Sequence, residues 1–387
     1  MVKLAILGCG NIGFFLAAKI LHHYYPLSNK KENVVNENVE LLLVGRQRLL
    51  NKLNESGEIL LMTYNGTKII IPRDHVNYVT DVKKIIEFQP DYVLVTLKVT
   101  QTVEVMREIA ELDGKVIIVS IQNGVRNFDL IRSIFLKSQI ISGMIVQNII
   151  YSNHCNFTQT SNGSLFFQFT PSTHFITSIL SNAGINSIIT TDIRSVQYGK
   201  LLLNLGNAFA ALGGSVKQIL DSKTYRHIYA ICQWEAIEVL DGSDINFVPF
   251  NYKLPIRLMP YILYAPDWLS NFLIANVLGM KTNNARSSML EDFSLGRKTE
   301  IEELQGEIVR LGEIIRKDRD EGGIIMDGVK LGGGDRSLTP YNHGILELVK
   351  LVEEWMEEHK KGWDIPFTAD EVLAFIEYGI VPQTLQF

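Results

Sequence analysis

The chain predicts an α/β fold: an N-terminal doubly wound parallel sheet followed by a C-terminal all-α domain. Two observations carry this. In the first half, short apolar runs alternate with helix-compatible stretches, the rhythm of strands joined by crossover helices. From Thr191 onward long helical patterns take over. At 387 residues the chain also exceeds what one hydrophobic core usually holds, so two domains are expected, 1–190 and 191–387.

The first element is the most informative. Lys3-Leu4-Ala5-Ile6-Leu7 reads as a strand and runs straight into Gly8-Cys9-Gly10-Asn11-Ile12-Gly13. Phe14, Phe15, Leu16, Ala17, Ala18 and Ile20 then continue at helical spacing. Strand, G-x-G-x-x-G turn and helix is the context in which the glycines signify a dinucleotide site. The first permits the turn, the second admits a pyrophosphate to the backbone, and the third lets helix and strand pack closely. The helix N-terminus offers that pyrophosphate free N–H groups and a positive dipole end. A glycine-rich turn without a ligand is the alternative.

A polar segment, Tyr24–Asn38, reads as an exposed loop, and Val39–Val44 as the second strand. Ile59–Ile71 reads as a hairpin, because the central Asn65-Gly66 favours a type I′ turn. Asp91–Leu97 is a strand, Thr102–Leu112 a helix, and Lys115–Ile121 a strand ending at Gln122-Asn123-Gly124. Further strands are expected at Ile140–Ile149, Leu165–Phe169 and Ile185–Thr190, then helices at Arg194–Leu212, Lys223–Leu240, Ser288–Leu295 and Thr299–Arg316. Two insertions interrupt the second half, Gly242–Asn284 and the glycine-rich Glu321–Arg336, the latter read as a surface loop. The tail, with Trp363, Phe367 and Phe375, is expected to pack on the helical domain.

A net charge of −5 argues against nucleic acid as the main partner. Three scattered cysteines, Cys9, Cys155 and Cys232, suggest neither a disulfide framework nor a zinc site. No apolar window approaches the roughly 20 residues that span a bilayer, and no cleavable signal is evident. A cytoplasmic protein with no metal and no membrane partner is expected.

An acidic residue at the end of the second strand would hold the ribose 2′-hydroxyl of NAD. Arg46 stands there instead, with Arg48 close by, and a guanidinium suits the 2′-phosphate of NADP(H). The distance from Gly13 exceeds the usual ~20 residues because of the polar insertion. Either arginine could equally face solvent alone.

Lys200 begins a run, Leu201 to Ala210, that is apolar nearly all round and therefore expected to be buried. Burying an ammonium is costly unless it is used or paired. Asn204 lies one turn along on the same face. Such a pair suits a carbonyl substrate, the ammonium protonating the developing alkoxide and the amide holding its oxygens. A lysine snorkelling at a helix start is the alternative. Ser288-x-x-Glu291 and Thr299-x-x-Glu302 both have the capping-box pattern, so two helices are expected to start there. Ser288 is then either a plain cap or a ligand of a substrate carboxylate. Glu300, off the apolar stripe of Ile301, Leu304, Ile308 and Leu311, is either a solvated acid or the carboxylate that orients Lys200.

Taken together, Gly8-Cys9-Gly10-Asn11-Ile12-Gly13, Val95-Thr96-Leu97-Lys98, Gln122-Asn123-Gly124, Lys200-x-x-x-Asn204 and Arg286-Ser287-Ser288-Met289-Leu290-x-Asp292 continuing to Thr299-Glu300-Ile301 resemble the ketopantoate reductase (2-dehydropantoate 2-reductase) family, from Lys3 to about Leu348. The resemblance implies a Rossmann-type NADP(H) domain and reduction of 2-dehydropantoate to pantoate, a step toward pantothenate and coenzyme A. It implies Lys200 as general acid, with Glu300 supporting it and touching the cofactor. Asn204 and Ser288 would bind substrate, Lys98 and Asn123 would lie along the cofactor with Asn123 also near the substrate, and Arg46 would take the 2′-phosphate. The partner would be a small 2-keto acid, with a homodimer allowed.

There are departures. Tyr198 stands where the family commonly has tryptophan, and Asn207 precedes by one residue the place of the family's second asparagine, here Ala208. Gly143–Asn148, both insertions and the long tail also differ. These leave open a paralogous NADPH-dependent reductase of another 2-keto acid, or a non-catalytic NADP(H)-binding sensor.

Overall fold

A computed structural model describes residues 1–25, 39–152, 154–248, 255–276, 287–321, 325–326, 329–330 and 337–386. They form two compact units, Met1–Ile193 and Arg194–Phe387.

In chain order the first unit contains β1 (Val2–Leu7), α1 (Asn11–Tyr24), β2 (Val39–Val44), α2 (Gln47–Ser56), β3 (Glu58–Met62), β4 (Lys68–Pro72), β5 (Tyr78–Val79), α3 (Lys84–Phe88), β6 (Tyr92–Val95), α4 (Val99–Glu108), β7 (Ile117–Ser120), α5 (Asn127–Arg132), β8 (Ile140–Ile145), β9 (Ile149–Ser152), β10 (Asn156–Gln159), β11 (Leu165–Gln168), α6 (Thr173–Asn182) and β12 (Ser187–Thr190). The main sheet has the order β12-β11-β8-β7-β6-β1-β2-β5. All its pairings are parallel except β11 with β8. Strand β1 lies between β2 and β6, so the chain first moves one way across the sheet and later the other. That reversal is the switch point at which open α/β sheets bind ligands. One face is packed by Phe14, Ala17 and Ala18 of α1, the other by Met106, Ile131 and Phe135.

A second sheet, β4-β3-β10-β9, was not foreseen. The run expected as one strand from Ile140 to Ile149 divides: β8 stays in the main sheet and β9 pairs antiparallel with β10. The β3–β4 hairpin forms with Ile59 opposite Ile71, but its turn differs from the expected type I′. Only Gly66 has a positive φ, +83°, and Thr63 N–H donates to Thr67 O at 2.9 Å. The loop is therefore three residues with glycine in the left-handed place. Of the Tyr24–Asn38 insertion only Tyr24, the last residue of α1, and Tyr25, its C-cap, belong to the described residues.

The second unit contains α7 (Ile193–Asn204, its first residue in the other unit), α8 (Gly206–Leu212), α9 (Val216–Asp221), α10 (Lys223–Gly242), α11 (Met259–Tyr264), α12 (Asp267–Asn276), α13 (Ser288–Ser294), α14 (Gln305–Glu321), the two-residue strands β13 (Ile325–Met326) and β14 (Val329–Lys330), α15 (Pro340–His359) and α16 (Ala369–Tyr378). Among its described residues the regular structure is helical apart from that short antiparallel pair, which lies in the stretch read as a plain surface loop. Buried Glu235 of α10 caps α15 across the packing interface, accepting the N–H groups of Tyr341 at 2.8 Å and Asn342 at 2.9 Å. Helices α11 and α12 fill part of the Gly242–Asn284 insertion. Fully buried Arg226 ties them to α10 through Asp267 at 2.5 Å. The tail is packed: Trp363 and Phe367 are buried, with Trp363 N–H on Phe293 O and Phe367 N–H on Leu212 O, each at 2.8 Å. Phe375 is half-buried on α16.

Candidate active site

In the first unit the candidate cofactor residues follow four adjacent strands that end level with one another. Leu7 of β1 is paired with Val44 of β2 and with Val95 of β6, and Val95 in turn with Ser120 of β7. The loops leaving these ends carry Gly8–Gly13, Arg46, Lys98 and Asn123.

Each glycine of the first loop has its own reason. Gly8 has φ +109°, and a Cβ there would lie 2.7 Å from Leu97 N. A Cβ on Gly13 would lie 2.3 Å from Gly8 O, so only glycine lets α1 pack this close to β1. Gly10 is different: a Cβ there would meet nothing within 4 Å. No atom of the described residues requires glycine at this place, yet it borders the N-terminus of a 14-residue helix with no side-chain cap and no acidic residue in its first turn. Open space beside uncapped N–H groups fits a pyrophosphate. Buried Cys9 is held thiol by desolvation, Asn11 Nδ2 donates to Ile149 O at 3.0 Å, and Ile12 packs on the core.

Arg46 is exposed and N-caps α2. Its backbone is fixed by the Tyr78 hydroxyl, which donates to Arg46 O at 3.1 Å. Gly45 before it allows this approach, since a Cβ there would lie 2.2 Å from Tyr78 Oη. Arg48 is likewise exposed. Lys98 precedes α4, which starts at Val99, three residues before the expected Thr102. Asn123 O accepts from Asn127 Nδ2 at 2.5 Å. Buried Gln122 links the Lys98 and Asn123 loops, donating to Leu97 O at 3.0 Å and Thr102 Oγ1 at 2.6 Å.

In the second unit the candidates are Lys200, Asn204, Asn207, Ser288 and Glu300. The expected continuous helix Arg194–Leu212 is broken at Leu205. Three side chains from distant elements satisfy carbonyls at the break: Gln233 donates to Leu202 O at 2.5 Å, Tyr229 to Leu203 O at 3.4 Å and Gln305 to Leu205 O at 2.9 Å. Leu201, Leu202, Leu205, Ala208 and Phe209 are buried as expected. Lys200, Asn204 and Asn207 are half-exposed, one polar strip along an otherwise apolar pair of helices. Burial pushes the Lys200 ammonium down to about 8, and the Glu300 carboxylate pulls against that shift. A pKa near the operating pH, with the amine still protonated, is what a general acid requires.

Both capping expectations need correction. Ser287, not Ser288, caps α13: its hydroxyl accepts from Leu290 N–H at 3.1 Å and lies 3.2 Å from Asn207 O, to which it donates. Ser288 is the first helical residue, and its side chain is exposed. Thr299 does not form a capping box with Glu302. Its N–H and hydroxyl both donate to Glu353 Oε1, at 2.7 and 2.6 Å. Glu302 pairs with Lys350 at 2.7 Å. Glu300 thus precedes a 3₁₀ turn, Ile301–Glu303, rather than lying inside a helix that starts at Gln305. The stripe Ile301, Leu304, Ile308 and Leu311 is buried as expected, with half-exposed Glu300 off it. Residues 281–286, with Arg286 of the motif, lie outside the described residues. Among the described residues no helix is long and apolar enough to cross a membrane.

Sequence reasoning missed the supporting residues Gln233, Gln305, Lys350, Glu353 and Glu307. None carries a local signal, because each acts on a segment remote in the chain.

The family model described as ketopantoate reductase PanE/ApbA matches residues 4–172, and the one described as its C terminal matches 192–318. A 2-dehydropantoate 2-reductase of Archaeoglobus fulgidus is 25% identical over 229 residues, 58% of this chain and 70% of that protein. A PanE/ApbA family ketopantoate reductase of Ralstonia eutropha JMP134 superposes with a TM-score of 0.69 at 19% identity, covering 92% of this chain and all of the other. A D-mandelate dehydrogenase with NADH and anilino(oxo)acetate gives 0.66 at 17% identity, with 92% and 100% covered. The chain belongs to the ketopantoate reductase family.

Proposed function

We propose that the protein reduces 2-dehydropantoate to pantoate with NADPH, on the route to pantothenate and coenzyme A. The first unit binds the cofactor, and the second supplies the acid and the substrate contacts. The observation that carries the reading is Lys200, an ammonium in desolvating surroundings, coupled to Glu300 and in line with Asn204 and Asn207.

When bound, the reduced nicotinamide supplies a hydride to the keto carbon. As negative charge grows on the keto oxygen, Lys200 gives it a proton, and Glu300 keeps the ammonium charged beforehand. General acid help of this kind contributes about 10²–10⁴-fold. Asn204 and Asn207 hold substrate oxygens, and Ser288, at the start of α13, takes the substrate carboxylate. Gly8–Gly13 cradle the pyrophosphate, Arg46 grips the 2′-phosphate, and Lys98 and Asn123 lie along the cofactor.

The likeness to a D-mandelate dehydrogenase favours one second reading, an aryl-substituted 2-keto acid reduced with NADH. Following the absorbance of NADPH and of NADH with 2-dehydropantoate and with phenylglyoxylate separates the two. Turnover of 2-dehydropantoate with NADPH is expected; turnover of phenylglyoxylate alone would replace the first reading with the second.

A further inference from the structure

Tyr198 lies two residues before Lys200 on α7 and is fully buried. Its hydroxyl donates to Glu307 Oε1 at 3.0 Å. Glu307, buried in α14, also accepts two bonds from Arg310, Nε to Oε2 at 2.8 Å and Nη2 to Oε1 at 2.6 Å. On the other side, the Arg194 guanidinium lies 5.9 Å from the Tyr198 ring centre, and its charge pulls the phenol's pKa down against burial. The result is a chain of charge-assisted bonds, Tyr198 to Glu307 to Arg310, which is strong because little water competes with it. Burial pushes the phenol up to about 12, so it stays a donor.

The same stretch of chain reaches α7 and its end at three places. Glu300 acts on Lys200, Gln305 bonds Leu205 O, and Glu307 bonds Tyr198. The two hydrogen bonds bracket Lys200 in sequence, before it at 198 and after it at 205. A helix pinned on both sides against one partner segment can neither slide nor turn relative to that segment. Resting on the reductase reading above, we infer that Tyr198 is a positioning residue: its bond to Glu307 fixes the register of α7 against α14 and so holds Lys200 opposite Glu300. A tryptophan at this place could not reproduce the bond, since an indole N–H projects from a different part of the ring.

The test is Tyr198→Phe, which removes one oxygen and keeps the packing. Two quantities are measured. The first is the apparent pKa of Lys200, from the pH dependence of its acylation by acetic anhydride, read by mass spectrometry without substrate. The second is kcat and KM for NADPH with 2-dehydropantoate. Loss of register removes the carboxylate's upward pull while the buried leucines remain, so the Lys200 pKa falls by about one unit. With it kcat falls roughly tenfold or more, at an unchanged KM for NADPH. Glu307→Gln, made alone, should keep the wild-type Lys200 pKa, because its amide oxygen still accepts the phenol, even as Arg310 loses its carboxylate partner and stability drops. A folded Tyr198→Phe protein whose Lys200 titrates as in the wild type would overturn the inference. Should that variant not fold, Tyr198→Trp answers the same question by the same labelling. Labelling needs no turnover, so a wild type inactive on 2-dehydropantoate would remove the functional reading without deciding this one.

Discussion

Thr299 gives both its backbone N–H and its hydroxyl to a single carboxylate oxygen of Glu353, so α15 holds the residue immediately before Glu300. Lys350, three residues earlier on α15, takes Glu302 on the far side. Glu300 is thereby clamped between two anchors on one helix.

That clamp can be broken singly. Glu353→Ala leaves a buried N–H and hydroxyl without their acceptor, at a cost of about 1–3 kcal/mol. Urea denaturation should show that loss. The reduction rate should fall as well, since Glu300 is no longer held; a variant with wild-type stability would show that the two bonds carry nothing.

The pH dependence of reduction should report Lys200. Its ammonium is depressed to about 8, so the rate should decline as pH rises through that value and the acid is lost. Glu300 raises the Lys200 pKa, hence Glu300→Gln should shift the decline to lower pH. A shift to higher pH, or none, would mean that the two groups are not coupled.

Glycines of the first loop should part company. Gly13→Ala places a Cβ against Gly8 O and should lower the melting temperature. Gly10→Ala meets no atom of the described residues, so stability should hold while NADPH binding, followed by fluorescence, weakens. Equal effects of both changes on stability would argue that Gly10 serves the fold alone.

Arg46→Ala should raise the KM for NADPH on the order of tenfold or more, the loss of a charge-assisted bond. The KM for NADH, which lacks the 2′-phosphate, should hardly move. A parallel rise for both cofactors would place the guanidinium elsewhere.

What was legible in the sequence follows from how local each signal is. The turn at Gly8–Gly13 is decided by glycines within six residues of one another, and the buried faces of α1 and α14 by their own periodicity. The break at Leu205 depends on Gln233 and Gln305, which no window around Lys200 contains, so a continuous helix was the natural expectation. The second sheet needs β10 to pair with β3 from the other end of the domain, a contact no short pattern encodes. Ser288 and Thr299 were misjudged for a related reason. A serine pair offers two equivalent caps, and Thr299 found a better acceptor in Glu353 than the local Glu302 pattern offered.

The deciding comparison is oxidation of NADPH by 2-dehydropantoate, followed at saturating cofactor, for the wild type and Lys200→Ala. The expected result is steady wild-type turnover and a loss of roughly 10²–10⁴-fold in kcat for the variant, with NADPH affinity retained. Turnover by Lys200→Ala at the wild-type rate would contradict it.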